Sequence, residues 1–120
     1  MPDEGIIAIQ AHDEVVLAVV LKSALDEKAA KQLELEVSAA AAARPGLPVV
    51  LDLAKVRFVP SVALGALVTL RKGLHFEGRA LALLNVARQV RQVLSVARLD
   101  QLVAVYDTLD EALAHLRRKT

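Results

Sequence analysis

Between Val49 and Leu74 the chain passes, across one short connection, from the pattern of a buried strand to the pattern of a helix. Val49-Val50-Leu51-Asp52-Leu53 is an apolar run ended by Asp52 and Lys55, as in a strand covered on both faces. Leu64, Leu67, Leu70 and Leu74 then recur at helical spacing, with Thr69, Arg71, Lys72 and His75 elsewhere on the cylinder. A helix of this kind packs back onto the sheet that holds the strand, so this stretch points to an α/β fold. The join, Phe58 to Gly65, is where function is expected, because ligands and partners of such sheets meet strand ends and the first turn of the next helix.

The rest of the chain supplies the partners of this unit. Ile6 to Gln10 and Val15 to Leu21 read as strands joined in an antiparallel hairpin. A helix is expected from about Asp26 to Ala43, with Ala29, Leu33, Val37 and Ala40 inward and Glu36 among the outward residues. Arg44-Pro45-Gly46-Leu47-Pro48 stops it. Ala80 to Leu84 reads as a strand, and Ala87 to Val96 as a helix with Val90, Val93, Leu94 and Ala97 inward. Leu102 to Tyr106 reads as the last strand. Thr108 with Glu111 has capping-box spacing before a final helix with Leu109, Ala112, Leu113 and Leu116 inward. The expected order is β-β-α-β-α-β-α-β-α: one domain over 1–120, a mixed, mostly parallel sheet of about five strands with about four helices.

Composition narrows the function. Hydrophobic residues make up 55% of the chain, yet the longest apolar run, Val15 to Leu21, is strand length, well short of the roughly 18 residues of a membrane span. Met1 to Glu4 is acidic and unlike a secretory signal, so a cytoplasmic location without membrane insertion is expected. There is no cysteine to build disulfides or thiolate metal sites. The net charge of +1 and the three aromatics, Phe58, Phe76 and Tyr106, offer neither the field nor the stacking platform that nucleic acid needs.

The chemistry of an active site is sparse. His12, His75 and His115 are scattered and lack the spacing of a metal site, and there is no Gly-rich phosphate loop. No cofactor is expected. Asp52 at the strand end reads as a residue bonding local backbone N–H groups, with a base or ligand as the other reading. Arg88, Arg91 and Arg98 read as a solvated face of the short helix, with a strip for an acidic partner as the alternative. Gly65 lies inside the helix pattern, where it costs about 1 kcal/mol against alanine, and reads as allowing close approach to the sheet or to a partner.

With the order of elements fixed, the residues from Val49 to Leu67 resemble the signature of STAS domains, the anti-sigma factor antagonist family. That signature is an apolar strand ending in D-L, followed by x-x-V-x-F-I-D-S-S-G-L-G-x-L. Ala24-Leu25-Asp26 is similar to the family's E-L-D, and Leu83 to Leu94 to its L-x-N-x-x-x-x-V-x-x-v-L. Leu99-Asp100, Tyr106-Asp107 and Leu109 to Ala112 extend the likeness. The resemblance implies a cytoplasmic, non-enzymatic module that captures an anti-sigma factor acting also as a serine kinase. Phosphorylation of a serine at the start of the second helix releases it.

Aligning Leu64-Gly65 on the family's L-G places Pro60 at the aspartate, Ser61 at the first serine, Val62 at the phospho-acceptor and Ala63 at the glycine. Valine carries no hydroxyl, so the usual switch has no acceptor. Ser61 next door reads as the helix N-cap, with a displaced phosphosite as the other reading. The expectation is a regulatory module binding a partner through Phe58, Pro60, Ser61, Val62, Ala63, Leu64 and Gly65. The partner is an anti-sigma factor, a serine-kinase-like regulator or another STAS chain, and the apolar content is compatible with a homodimer. The alternatives are a STAS subunit docking on a phospholipid-type membrane transport ATPase and a stress-signalling scaffold.

Overall fold

The computed structural model describes residues 5–118; the reading of Met1 to Glu4 lies outside them. The strands are β1 (Ile7–Gln10), β2 (Val16–Val20), β3 (Val49–Asp52), β4 (Leu81–Leu84) and β5 (Ala104–Tyr106). The helices are α1 (Glu27–Ala43), α2 (Ser61–Phe76), α3 (Arg88–Val96) and α4 (Leu109–Arg118), with a 3-10 turn at Leu99–Gln101. The five strands form one sheet in sequential order, β1 antiparallel to β2 and all later neighbours parallel. The element order and the mixed sheet match the reading from sequence.

Sequential parallel strands joined by right-handed crossovers send every crossover helix to the same side. Accordingly Leu33 and Val37 of α1, Ala66, Leu67 and Leu70 of α2, and Val90 and Leu94 of α3 pack with Val16, Ala18, Val49, Leu51, Leu81 and Leu83. The intervening strand residues Leu17, Val50, Ala82 and Leu84 face the other way and are covered by Leu113 and Leu116 of α4. The apolar runs are continuous because both sets of alternating side chains are buried.

Side-chain caps hold several ends. Asp26 caps α1, its carboxylate accepting from Ala29 N at 2.9 Å. Thr108 Oγ1 accepts from Glu111 N at 3.1 Å, but the hydroxyl then donates to the Glu111 carboxylate at 3.2 Å, so the reciprocal half of the capping box is replaced.

Glu36 departs from its expected outward position. Its carboxylate accepts from Ile6 N at 2.9 Å and Ile7 N at 3.2 Å and so terminates the edge strand. A Cβ on Gly5 would lie 2.8 Å from that carboxylate, which would have to shift to make room. Val93 and Ala97 also differ from expectation, since both are exposed. The reason lies just beyond α3: Arg98 takes a left-handed conformation, φ 61°, and the 3-10 turn brings Leu99 into the core instead. Leu102 N and Val103 N then bond to Leu99 O at 2.9 and 2.8 Å, which delays the last strand to Ala104.

Candidate partner-docking site

The connection after β3 is built from backbone hydrogen bonds. Leu53 N bonds to Leu84 O at 2.8 Å, and Val56 N bonds back to Leu53 O at 3.0 Å. Arg57 N and Phe58 N both bond to Ser23 O, at 2.7 and 3.0 Å, and Leu25 N bonds to Phe58 O at 3.0 Å. The connection is thereby sewn to the segment that precedes α1, with a parallel bridge between Ala24 and Phe58. Val56 and Val59, three residues apart, point into the core, and Arg57 and Phe58 between them are exposed, Phe58 at 59%.

At the start of α2 the backbone, rather than a side chain, sets the geometry. Pro60 is the N-cap residue, with ψ near 170°, and no side chain caps the helix. Ser61, expected as the cap, is instead the first helical residue, and its side chain is exposed. Ala63 N and Leu64 N reach Pro60 O at 2.9 and 3.2 Å. The first-turn end of α2 therefore faces solvent with its positive dipole end uncovered.

Helical phase sorts the remaining residues. Ala63 is fully buried and packs in the core with Ala66 and Leu67, so it is removed from the surface that the sequence assigned to it. Val62 is 42% exposed, Gly65 is exposed, and Pro60 and Leu64 are partly buried. The stripe from Ala63 through Ala66, Leu67 and Leu70 to Leu74 holds the sheet, leaving Phe58, Ser61, Val62 and Gly65 on one exposed rim. A Cβ added at Gly65 would meet nothing within 4 Å. Close approach to the sheet is therefore not what the glycine is for.

Polar groups flank this rim. Asp52 at the end of β3 accepts from Ala54 N at 2.9 Å, the local backbone role read from sequence, and also from Asn85 Nδ2 at 3.2 Å. Asn85 has a left-handed backbone, φ 57°, which opens the turn after β4. Sequence reasoning missed this Asp52–Asn85 pair because its members are 33 residues apart. Arg57 folds back to bond Ala54 O at 2.6 Å.

Arg88, Arg91 and Arg98 are all exposed, as in the solvated-face reading, and the alternative of a single strip does not form. Arg91 pairs with Asp107 at 3.0 Å, and Arg98 lies past the helix end. Among the described residues, no group of three or more acids and histidines is placed to hold a metal, and no helix is long and apolar enough to cross a membrane.

A five-stranded mixed sheet, with three crossover helices on one face, a closing helix on the other and an exposed apolar rim after the third strand, defines the class. The chain belongs to the STAS domain family, whose profile matches residues 7–112. A Thermotoga maritima protein provisionally named an anti-sigma factor antagonist is 38% identical over 69 residues, which cover 58% of this chain and 61% of that relative. The chain thus spans about three fifths of the length of the curated relatives it matches. The crystal structure of an anti-sigma factor antagonist from Mycobacterium paratuberculosis superposes with a TM-score of 0.80 at 29% identity, covering 98% of this chain and 97% of that one. A Thermotoga maritima crystal structure, of a protein provisionally described in the same words, gives 0.79 at 25% identity over 92% and 94%.

Proposed function

We propose that this STAS domain is a non-enzymatic regulatory module that captures an anti-sigma factor or serine-kinase-like regulator through the rim formed by Phe58, Ser61, Val62 and Gly65. The observation that carries the reading is the exposure of Phe58 and Val62 beside an uncapped helix start. The Phe58 backbone is bonded on both sides to the segment before α1, and both side chains are free to enter a partner's pocket. Pro60 and Leu64 contribute from the partly buried edge of the same surface.

The surface carries no phosphate acceptor at position 62, so the family's switch has no hydroxyl at its usual place. Phosphate on a serine there would add nearly two negative charges. Valine keeps the contact apolar and neutral under all conditions, and the module stays in its binding-competent state. Abundance of the partner, rather than phosphorylation, then sets how much complex forms.

The test is capture from cells with the tagged chain, followed by calorimetry with the purified partner. Val62→Asp is expected to weaken the complex by more than about 1 kcal/mol, the level that marks an interface anchor, with the melting temperature unchanged. Equal affinity would remove the rim from the interface. Phosphate found on Ser61 in the same cells would overturn the claim of permanent neutrality, and capture of a transport ATPase in place of a soluble regulator would overturn the choice of partner.

A further inference from the structure

At the far end of the sheet β5 is too short to cover its neighbour. Ala104–Tyr106 pairs with Ala82–Leu84, so Ala80 and Leu81 have no strand on that side. The gap is a recess of about 210 Å³, below the roughly 300–1,000 Å³ typical of drug-sized ligands. Leu81, Leu102, Ala104 and Leu116 give it an apolar lining, and the Tyr106 ring adds a wall. The Tyr106 hydroxyl is already bonded to His115 Nδ1.

The charged lining is entirely of one sign. Arg71 and Arg79 are its cations, with the His75 ring beside them, and no carboxylate contributes. Arg79 is spoken for: its guanidinium donates to Leu47 O at 2.7 Å, Arg44 O at 3.0 Å and Glu77 Oε1 at 3.0 Å, and Glu77 offsets its charge. Arg71 differs. It is half-buried one helical turn before His75, and among the described residues it has no hydrogen-bond or ion-pair partner. Its guanidinium nitrogens still reach solvent, so the recess offers an accessible planar fork that matches a carboxylate in bidentate fashion.

We propose that this recess binds a small organic monoanion, a carboxylate on a short apolar body. The carboxylate sits on Arg71 with His75 as a second polar contact, and the carbon chain lies along Leu81, Leu102 and Leu116. One uncompensated guanidinium calls for one negative charge, and the apolar part of a mixed lining, Leu81, Leu102, Ala104 and Leu116, can take a short carbon body that a bare inorganic ion lacks. The recess is separate from the rim after β3, so the two assignments stand or fall independently.

The experiment is an NMR titration of the isotopically labelled full chain with hexanoate, hexanol and inorganic phosphate. Hexanoate is expected to give saturable shifts at Leu81, Ala82, Leu102 and Ala104, with hexanol and phosphate weaker. Arg71→Gln is expected to weaken hexanoate by about tenfold or more, the loss of a charge-assisted hydrogen bond, and Arg71→Lys to retain part of the affinity. If Arg71→Gln fails to fold, Ala104→Leu, which fills the recess, is expected to block hexanoate. Overturning results are no saturation with hexanoate, equal binding of hexanol, tighter binding of phosphate, or unchanged hexanoate affinity in Arg71→Gln or, where that variant does not fold, in Ala104→Leu.

Discussion

Where β2, β3 and β4 begin, side chains hold the loops: Arg44 donates to the carbonyls of His12, Asp13 and Val15, and Arg79 to those of Leu47 and Arg44. Where β2 and β3 finish, main chain bonds main chain, through Ser23, Leu25, Arg57 and Phe58, and apolar side chains are left over for solvent. The first arrangement spends charged side chains on stability. The second leaves Phe58 and Val62 free for recognition, with Asp52 and Arg57 bonding the local backbone. A surface that must keep its shape while exposing Phe58 and Val62 is better held by backbone bonds than by groups a partner would displace.

The sharpest way to break this contrast is to remove one guanidinium at each end. Arg79 is 6% exposed and donates to two carbonyls that lose their partners on substitution. Arg79→Met keeps the apolar stem, and is expected to cost about 3 kcal/mol through hydrogen bonds from a charged donor. Arg57 also bonds carbonyls, of Ala54 and Val56, but it is exposed and water can replace it. Arg57→Met should change stability by no more than about 0.5 kcal/mol. Urea unfolding of both variants measures the difference. Equal losses would mean that burial does not distinguish the two ends.

A smaller effect separates recognition from folding within one helix. Gly65 lies at the rim end of α2 and Gly73 near its other end, and a Cβ at either position would meet open space. Each change to alanine should therefore stabilise the protein, by about 0.5–1 kcal/mol from helix propensity. Only Gly65→Ala is expected to weaken partner capture, because only there does the missing side chain face the docking rim. If both variants bind as wild type, the glycine at 65 is not needed for close approach by a partner.

Much of this architecture was legible in the sequence. The apolar runs that follow Arg44-Pro45-Gly46 and Glu77-Gly78-Arg79 mark strands, and the two glycines occupy positive φ, 85° and 74°, as turn residues do. The candidate site was legible as a stretch but not as a face. With Ala63, Leu64, Ala66 and Leu67 all apolar, residue type could not set the helical phase, and only packing put Ala63 inside and Val62 outside. Glu36, Arg44 and Arg79 were illegible for another reason. Their acceptors and donors lie about 30 residues away in sequence, and no local pattern encodes which distant carbonyl a guanidinium will meet. The one local sign for Arg79 was a lone cation set directly before an apolar strand.

The smallest expected effect tests whether burial, rather than charge, makes the stapled end strong. Arg117 of α4 grips Glu14 in the β1–β2 connection through two contacts, Nε to Oε2 at 2.7 Å and a terminal nitrogen to Oε1 at 2.5 Å. Unlike Arg79, both partners are exposed. The Arg117 hydrogen bond holds the Glu14 carboxyl below its usual value of 4.5, with the positive charges of Arg117 and His12 acting in the same direction and desolvation opposing them. A carboxyl lowered by folding contributes stability above its unfolded value and loses that contribution as pH falls through the lower folded value. Glu14→Gln should therefore be slightly less stable than wild type at neutral pH, with the gap closing in acid, below the ordinary carboxyl range. Salt should narrow the gap at neutral pH, since an exposed pair is screened. Urea unfolding of both proteins across that pH range reads it out. A gap at neutral pH as large as that for Arg79→Met would show that solvent exposure does not weaken the arginine contacts at this end of the sheet.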